Sequence, residues 1–183
     1  MKKKLFSTKE LTLTALLAAI ICILGPIALP ISISPVPISL GTLAIYFVVA
    51  VSNFKIGFVS VILYLLIGLA GVPVFASYTA GVGKLMGPTG GYLIGFMFIA
   101  LIYGVSTKFI KNYLIASIVG ILLGTAVCYL FGTLWLGFQL EKTFTQALMI
   151  GVIPYLPGDF AKLVLALLLA LPIRSRLQKA NLL

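Results

Sequence analysis

Asp159 and Lys162 stand three residues apart inside an otherwise apolar run, and they are the residues of this chain whose chemistry most needs an explanation. At the centre of a membrane-crossing helix each would cost roughly 2.5–3.5 kcal/mol even on the milder insertion scales. They must therefore be shallow, paired or useful. With Pro157 at the first helical position, Lys162 lies about 7.5 Å into the helix at 1.5 Å per residue, and Arg174 and Arg176 mark the far end. The spacing puts both groups on one face, and the backward tilt of helical side chains aims the Lys162 ammonium toward Asp159. Two readings follow. In one, Asp159 caps the helix and Lys162 snorkels to the interface. In the other, the pair meets a solute, with Lys162 taking an anionic group and Asp159 accepting from N–H or O–H groups. The segment Pro154-Tyr-Leu-Pro-Gly-Asp159 supports the second, because a broken helix end lets backbone groups face a cavity.

Other familiar chemistries are missing from the sequence. Gly83-Lys84 suggests a phosphate loop, but Leu85 stands where Ser or Thr should follow and Tyr78 where the first glycine should be. The glycines of this stretch instead permit close backbone approach to a small ligand or a helix, and Tyr78 and Tyr92 could add aromatic walls with polar tips. The chain has no histidine, and Cys22 and Cys128 lie far apart in apolar runs with neither metal spacing nor a disulfide framework. With no Walker motif, metal cluster or nucleophile set, the chain is expected to be no enzyme and to carry no cofactor or metal.

The elements that position these residues are set by composition. Of 183 residues, 62% are hydrophobic and only 9% charged, and the mean hydropathy is +1.24; an ordinary soluble domain carries roughly a quarter charged residues. Spans of roughly 20 residues leave room for five to seven crossings. We read an all-α integral membrane protein, residues 1–183 forming a single domain of six transmembrane helices in one compact bundle. The spans run roughly Lys9–Leu24, Leu40–Ser52, Ile56–Ala70, Gly91–Thr107 and Tyr113–Leu134, with a sixth broken at Pro154 and Pro157 into a short outer piece and a main helix. Pro30, Pro35 and Pro37 keep the segment after span one extended, and in lipid such a segment must rest on protein or line a cavity.

The net charge of +10 sits at the ends of apolar runs, with no basic groove for nucleic acid. Six spans place Lys2, Lys3, Lys4, Lys9, Lys55, Lys108, Lys111, Arg174, Arg176 and Lys179 on the side of both termini, Lys84 and Lys142 on the other, and Lys162 within a span. The termini are therefore expected to be cytoplasmic. The connections after spans one, three and five then fall outside.

Small residues recur at four-residue spacing at Ala15 and Ala19, Gly91 and Gly95, and Gly120 and Gly124, which allows close approach of helices within the chain or of a partner.

The segment Gly87-Pro-Thr-Gly-Gly-Tyr-Leu-Ile-Gly-Phe96, with Pro35-Val-Pro-Ile-Ser-Leu40 and Pro157-Gly-Asp-Phe-Ala-Lys162, resembles the BioY family, the biotin-specific substrate-binding subunits of energy-coupling-factor vitamin transporters. The resemblance covers nearly the whole chain. It implies a multi-pass protein of a prokaryotic cell membrane, with biotin bound near the outer face beneath the loops after spans one and three. Ser39, Tyr78, Thr89, Gly91 and Tyr92 then become candidate contacts, and Asp159 and Lys162 fall on the family's acidic and basic positions. The division expected here gives Lys162 the valerate carboxylate and Asp159 the ureido N–H groups. Gly41 stands where the family often carries Gln. Ala15 and Ala19 match the small-residue pattern used to dock against the transmembrane coupling protein, EcfT, which works with two ATPase subunits. The alternatives are the same architecture for another vitamin, or a stand-alone small-solute carrier.

Overall fold

The computed structural model describes residues 6–32 and 34–183; Lys2, Lys3 and Lys4, expected on the cytoplasmic side, lie outside the described residues. Helix α1 (Thr8–Leu24) opens on a capping box in which Ser7 and Glu10 bond each other's backbone N–H groups. A two-stranded antiparallel hairpin follows, β1 (Ala28–Ile31) and β2 (Ser34–Ser39). Then come α2 (Gly41–Val51), α3 (Phe54–Leu69) capped by Asn53, a single 3-10 turn at Ala76–Tyr78 and the short α4 (Gly81–Met86). The long α5 (Gly90–Phe109) and α6 (Tyr113–Gln139, capped by Asn112) precede α7 (Phe144–Gly151), a 3-10 turn at Ile153–Tyr155 and α8 (Leu156–Lys179).

By length and composition, Gly90–Phe109, Tyr113–Gln139 and Phe144–Lys179 are long and apolar enough to cross a membrane, while α2 and α3 are shorter apolar helices. The sequence expected the fifth span to end near Leu134, but α6 runs on to Gln139 because nothing before Leu140 breaks it. The Gly71–Gly90 stretch holds α4, whose three glycines within or just after the helix conceal its pattern.

The proline-rich segment after α1 is extended, as expected, and it is also paired. Ala28 lies opposite Ser39 and Leu29 opposite Ile38, with an irregularity between Leu29 and Ile31 that accommodates Pro30. The N–H of Leu40 reaches the Ile27 carbonyl at 2.9 Å. Alternation along the strand therefore turns the nitrogens of Pro35 and Pro37 to the free edge, where a missing N–H leaves no ladder bond unmade.

Helix α2 is the hub. Ala44, Ile45, Tyr46, Val48, Val49, Ala50 and Val51 are all essentially inaccessible, as expected for a helix apolar all round. It packs chiefly on α8, while α1 packs on α3 and α5 on α6. The α5–α6 seam explains two of the small-residue pairs. A β-carbon at Gly124 would sit 2.7 Å from Ile99 Cα and one at Gly120 would sit 2.9 Å from Tyr103 Cα, while Gly95 lies against Cys128. These are internal contacts. Ala15 and Ala19, in contrast, lie on the exposed face of α1.

The two ends of the bundle differ. At one, cations gather: Lys55 pairs with Glu10 at 3.2 Å, Lys108 lies over the Phe54 ring, and Arg174 donates to the Ser52 carbonyl that ends α2. At the other, the three long connections meet. Tyr155 donates to the Val36 carbonyl of β2, and the Ser77 N–H bonds the Pro26 carbonyl at 3.0 Å.

Candidate functional site

Beneath those connections lies a cavity lined by β2, α2, α5, α6, α7 and α8. Its polar end is built on four helix positions. Lys162 Nζ lies 2.8 Å from Asp159 Oδ1, with side chains only 13% and 9% exposed. Thr42, in the first turn of α2, closes a triangle by donating to Asp159 Oδ1 at 3.2 Å and accepting from Lys162 Nζ at 3.0 Å. Tyr129 of α6 donates to the other carboxylate oxygen, Asp159 Oδ2. Beside them Tyr46 and Thr125 share a hydroxyl bond of 2.9 Å. Asp159 is thus a buried carboxylate with a cation and two hydroxyl donors, which is how such a charge is tolerated in a low-dielectric setting.

This geometry excludes one role expected for Asp159. It does not cap α8, whose N-cap Tyr155 forms no side-chain cap. Its oxygens are used on Lys162, Thr42 and Tyr129, which come from three different helices.

A second compartment adjoins the first and shares Val36, Pro37, Ser39, Tyr92 and Phe96 with it. Its lining adds Lys84 and Thr89. Burial lowers the Lys84 ammonium from the ordinary lysine range, and among the described residues no carboxylate pairs with it. Thr89 Oγ1, Tyr92 Oη and Thr133 Oγ1 are buried with no hydrogen-bond partner among the described residues, the hydroxyls of Tyr92 and Thr133 being neighbours. An unpartnered buried hydroxyl on a cavity wall needs a bond that something else must supply.

Of the residues singled out from sequence, the structure gathers Asp159, Lys162, Ser39, Thr89 and Tyr92 around the two adjoining compartments. Gly91 does not face them: a side chain there would run into Trp135, so its role is close packing of α5 on α6. Tyr78 does not face them either. It is 69% exposed with φ at +55°, turned away from the cavity in the third connection. Sequence reasoning missed Thr42, Tyr46 and Tyr129, and treated Lys84 only as an outer cation. Tyr129 carried a signal, since a tyrosine in mid-span needs a partner for its hydroxyl; Thr42 carried none.

A third cleft opens sideways between α6 and α8, which hardly touch. It is lined by Leu122, Ala126, Leu156, Phe160 and Leu163 and reaches Tyr129 and Asp159. Among the described residues no group of three or more His, Cys, Asp or Glu is placed to hold a metal.

Known proteins share this architecture and sequence. A biotin transporter, BioY2, of Lactococcus lactis subsp. cremoris is 36% identical over 97% of this chain and 95% of its own length. The biotin transporter BioY of Thermotoga maritima is 31% identical over 91% of this chain and 96% of its own. A crystal structure of the S-component for biotin from an ECF-type ABC transporter superposes with a TM-score of 0.78 at 31% identity, covering 93% of this chain and 91% of that one. The family model for BioY matches residues 1–179, and with the cavity, its ion pair and these relatives in agreement, the chain belongs to the BioY family.

Proposed function

We propose that this protein captures biotin at the outer face of a prokaryotic cell membrane and delivers it as the substrate-binding subunit of an ECF-type transporter. The observation that carries the reading is the cavity itself, which has an acid–base pair at one end and, beside its adjoining compartment, Lys84 with no carboxylate partner among the described residues. Asp159 and Lys162 present an acceptor and a donor side by side, a match for a cyclic urea, whose N–H groups donate and whose carbonyl accepts. Because Asp159 already balances the Lys162 charge, we assign the carboxylate end of the ligand to Lys84 in preference to Lys162. Thr89 and Tyr92 complete their bonding on the same ligand, and Ser39 adds a hydroxyl from the hairpin.

The membrane arrangement supporting this has six crossings with both termini in the cytoplasm. The cation-rich end, with Lys9, Lys55, Lys108 and Arg174, is the cytoplasmic one under the positive-inside rule. Helix α2 rises only about 16 Å, so the second crossing needs the hairpin at membrane depth, where its backbone is paired and rests on protein. Ala15 and Ala19 offer the exposed close-approach face on which a transmembrane coupling protein, serving two ATPase subunits, would dock. Calorimetric titration of the purified protein with biotin, thiamine and riboflavin tests the assignment. Tight binding of biotin alone is expected, and preference for either of the others overturns it.

A further inference from the structure

The compartment that holds Lys84 and Thr89 is walled by a segment with little structure of its own. Helix α4 has six residues, too few to be stable alone, and the turn Gly87-Pro88-Thr89 joins it to α5. What holds this segment is α6. Trp135 donates its indole N–H to the Gly87 carbonyl at 2.9 Å, and Gln139 donates its amide to the Met86 carbonyl at 2.6 Å. The two residues stand four apart, one above the other on a single face, and grip two successive carbonyls at the end of α4. The Gly87 carbonyl also receives the Gly90 N–H at 3.0 Å, so one atom joins α4, α5 and α6. Phe131 stacks on the Trp135 ring with centroids 6.5 Å apart, and Gly91 leaves room for that ring.

We propose that Trp135 and Gln139 are positioning residues for the ligand: they touch no part of the cavity, but fix the α4–α5 turn so that Lys84 and Thr89 meet the carboxylate end. This rests on the site assignment given above.

The test is a double-mutant cycle on the full chain, with biotin affinity measured by calorimetry and dissociation by displacement. Trp135→Phe, which keeps the stacking on Phe131, is expected to weaken biotin roughly tenfold, the scale of one lost hydrogen bond, mainly through faster dissociation. Gln139→Leu, at an exposed position that leaves folding intact, is expected to act in the same direction by a smaller factor. In a background carrying both Lys84→Met and Thr89→Val the effect of Trp135→Phe should fall below about twofold, because both groups being positioned are gone. A purely structural tryptophan would lose the same factor in both backgrounds, and that additivity overturns the proposal. Wild-type affinity in both Trp135→Phe and Gln139→Leu overturns it too. A wild-type protein that fails to bind biotin instead overturns the site assignment, so the two failures are distinguishable.

Discussion

Replacing Lys162 by Met removes the cation from a carboxylate that is 9% exposed and keeps only two neutral donors, Thr42 and Tyr129. Breaking a buried pair from one side costs roughly 3–5 kcal/mol, because the remaining charge has lost its counterpart. Neutralising both members, in Asp159→Asn with Lys162→Met, removes that charge and is expected to cost no more than about 1–2 kcal/mol, since exchanging a whole buried pair is often close to neutral. The order of stability is therefore wild type, then the double variant, then Lys162→Met, which reverses what counting substitutions would give. Biotin affinity follows a different order. Each variant loses at least one charge-assisted bond to the ligand, worth about 1.5–3 kcal/mol, or about 10- to 150-fold in Kd. Thermal or denaturant unfolding of the empty protein measures the first order, and calorimetry with biotin the second. If Lys162→Met proves as stable as wild type, the pair is solvated and the description of its surroundings fails; if it binds biotin within about threefold of wild type, the pair lies outside the site.

Three further expectations can be checked alongside. Biotin affinity should decline as pH rises through the Lys84 titration, which burial places below the ordinary lysine range, since only the charged ammonium holds a carboxylate; Lys84→Met should bind more weakly with a flat profile in that range, and should bind biotin amide as wild type does. Tyr92→Phe should leave the empty protein as stable as wild type or more so, because it deletes a buried hydroxyl without a partner, while weakening biotin about five- to tenfold; a loss of stability without a loss of affinity would contradict that. Ala15→Trp with Ala19→Trp should abolish biotin uptake in cells and leave the calorimetric Kd unchanged, and intact assembly with the coupling protein would refute the docking face.

Much of the helical frame was legible because its signals are local. Apolar runs and the prolines and glycines between them outline the helices, and the structure adds the caps Ser7, Asn53 and Asn112 at three of their starts. Asp159 and Lys162 were legible because their position in an apolar run has few explanations. Thr42 was not, because a threonine opening a helix looks like any other; only the packing of α2 on α8 brings it to the pair. The β-pairing of the proline-rich segment was also hidden. Prolines argue against a strand until it is known that they occupy the unpaired edge, which depends on a partner strand. Tyr78 shows the opposite error: an aromatic in the correct connection was taken for a wall, whereas a left-handed backbone at Ser77 and Tyr78 turns it outward. Trp135 carried no sequence signal of its role, since its indole is bonded to a turn 48 positions earlier in the chain.

Because Thr42, Tyr129 and Lys162 already answer Asp159, the acid–base corner of the empty chamber is balanced, and what stays open to a newcomer lies in the adjoining compartment, at Lys84, Thr89 and Tyr92.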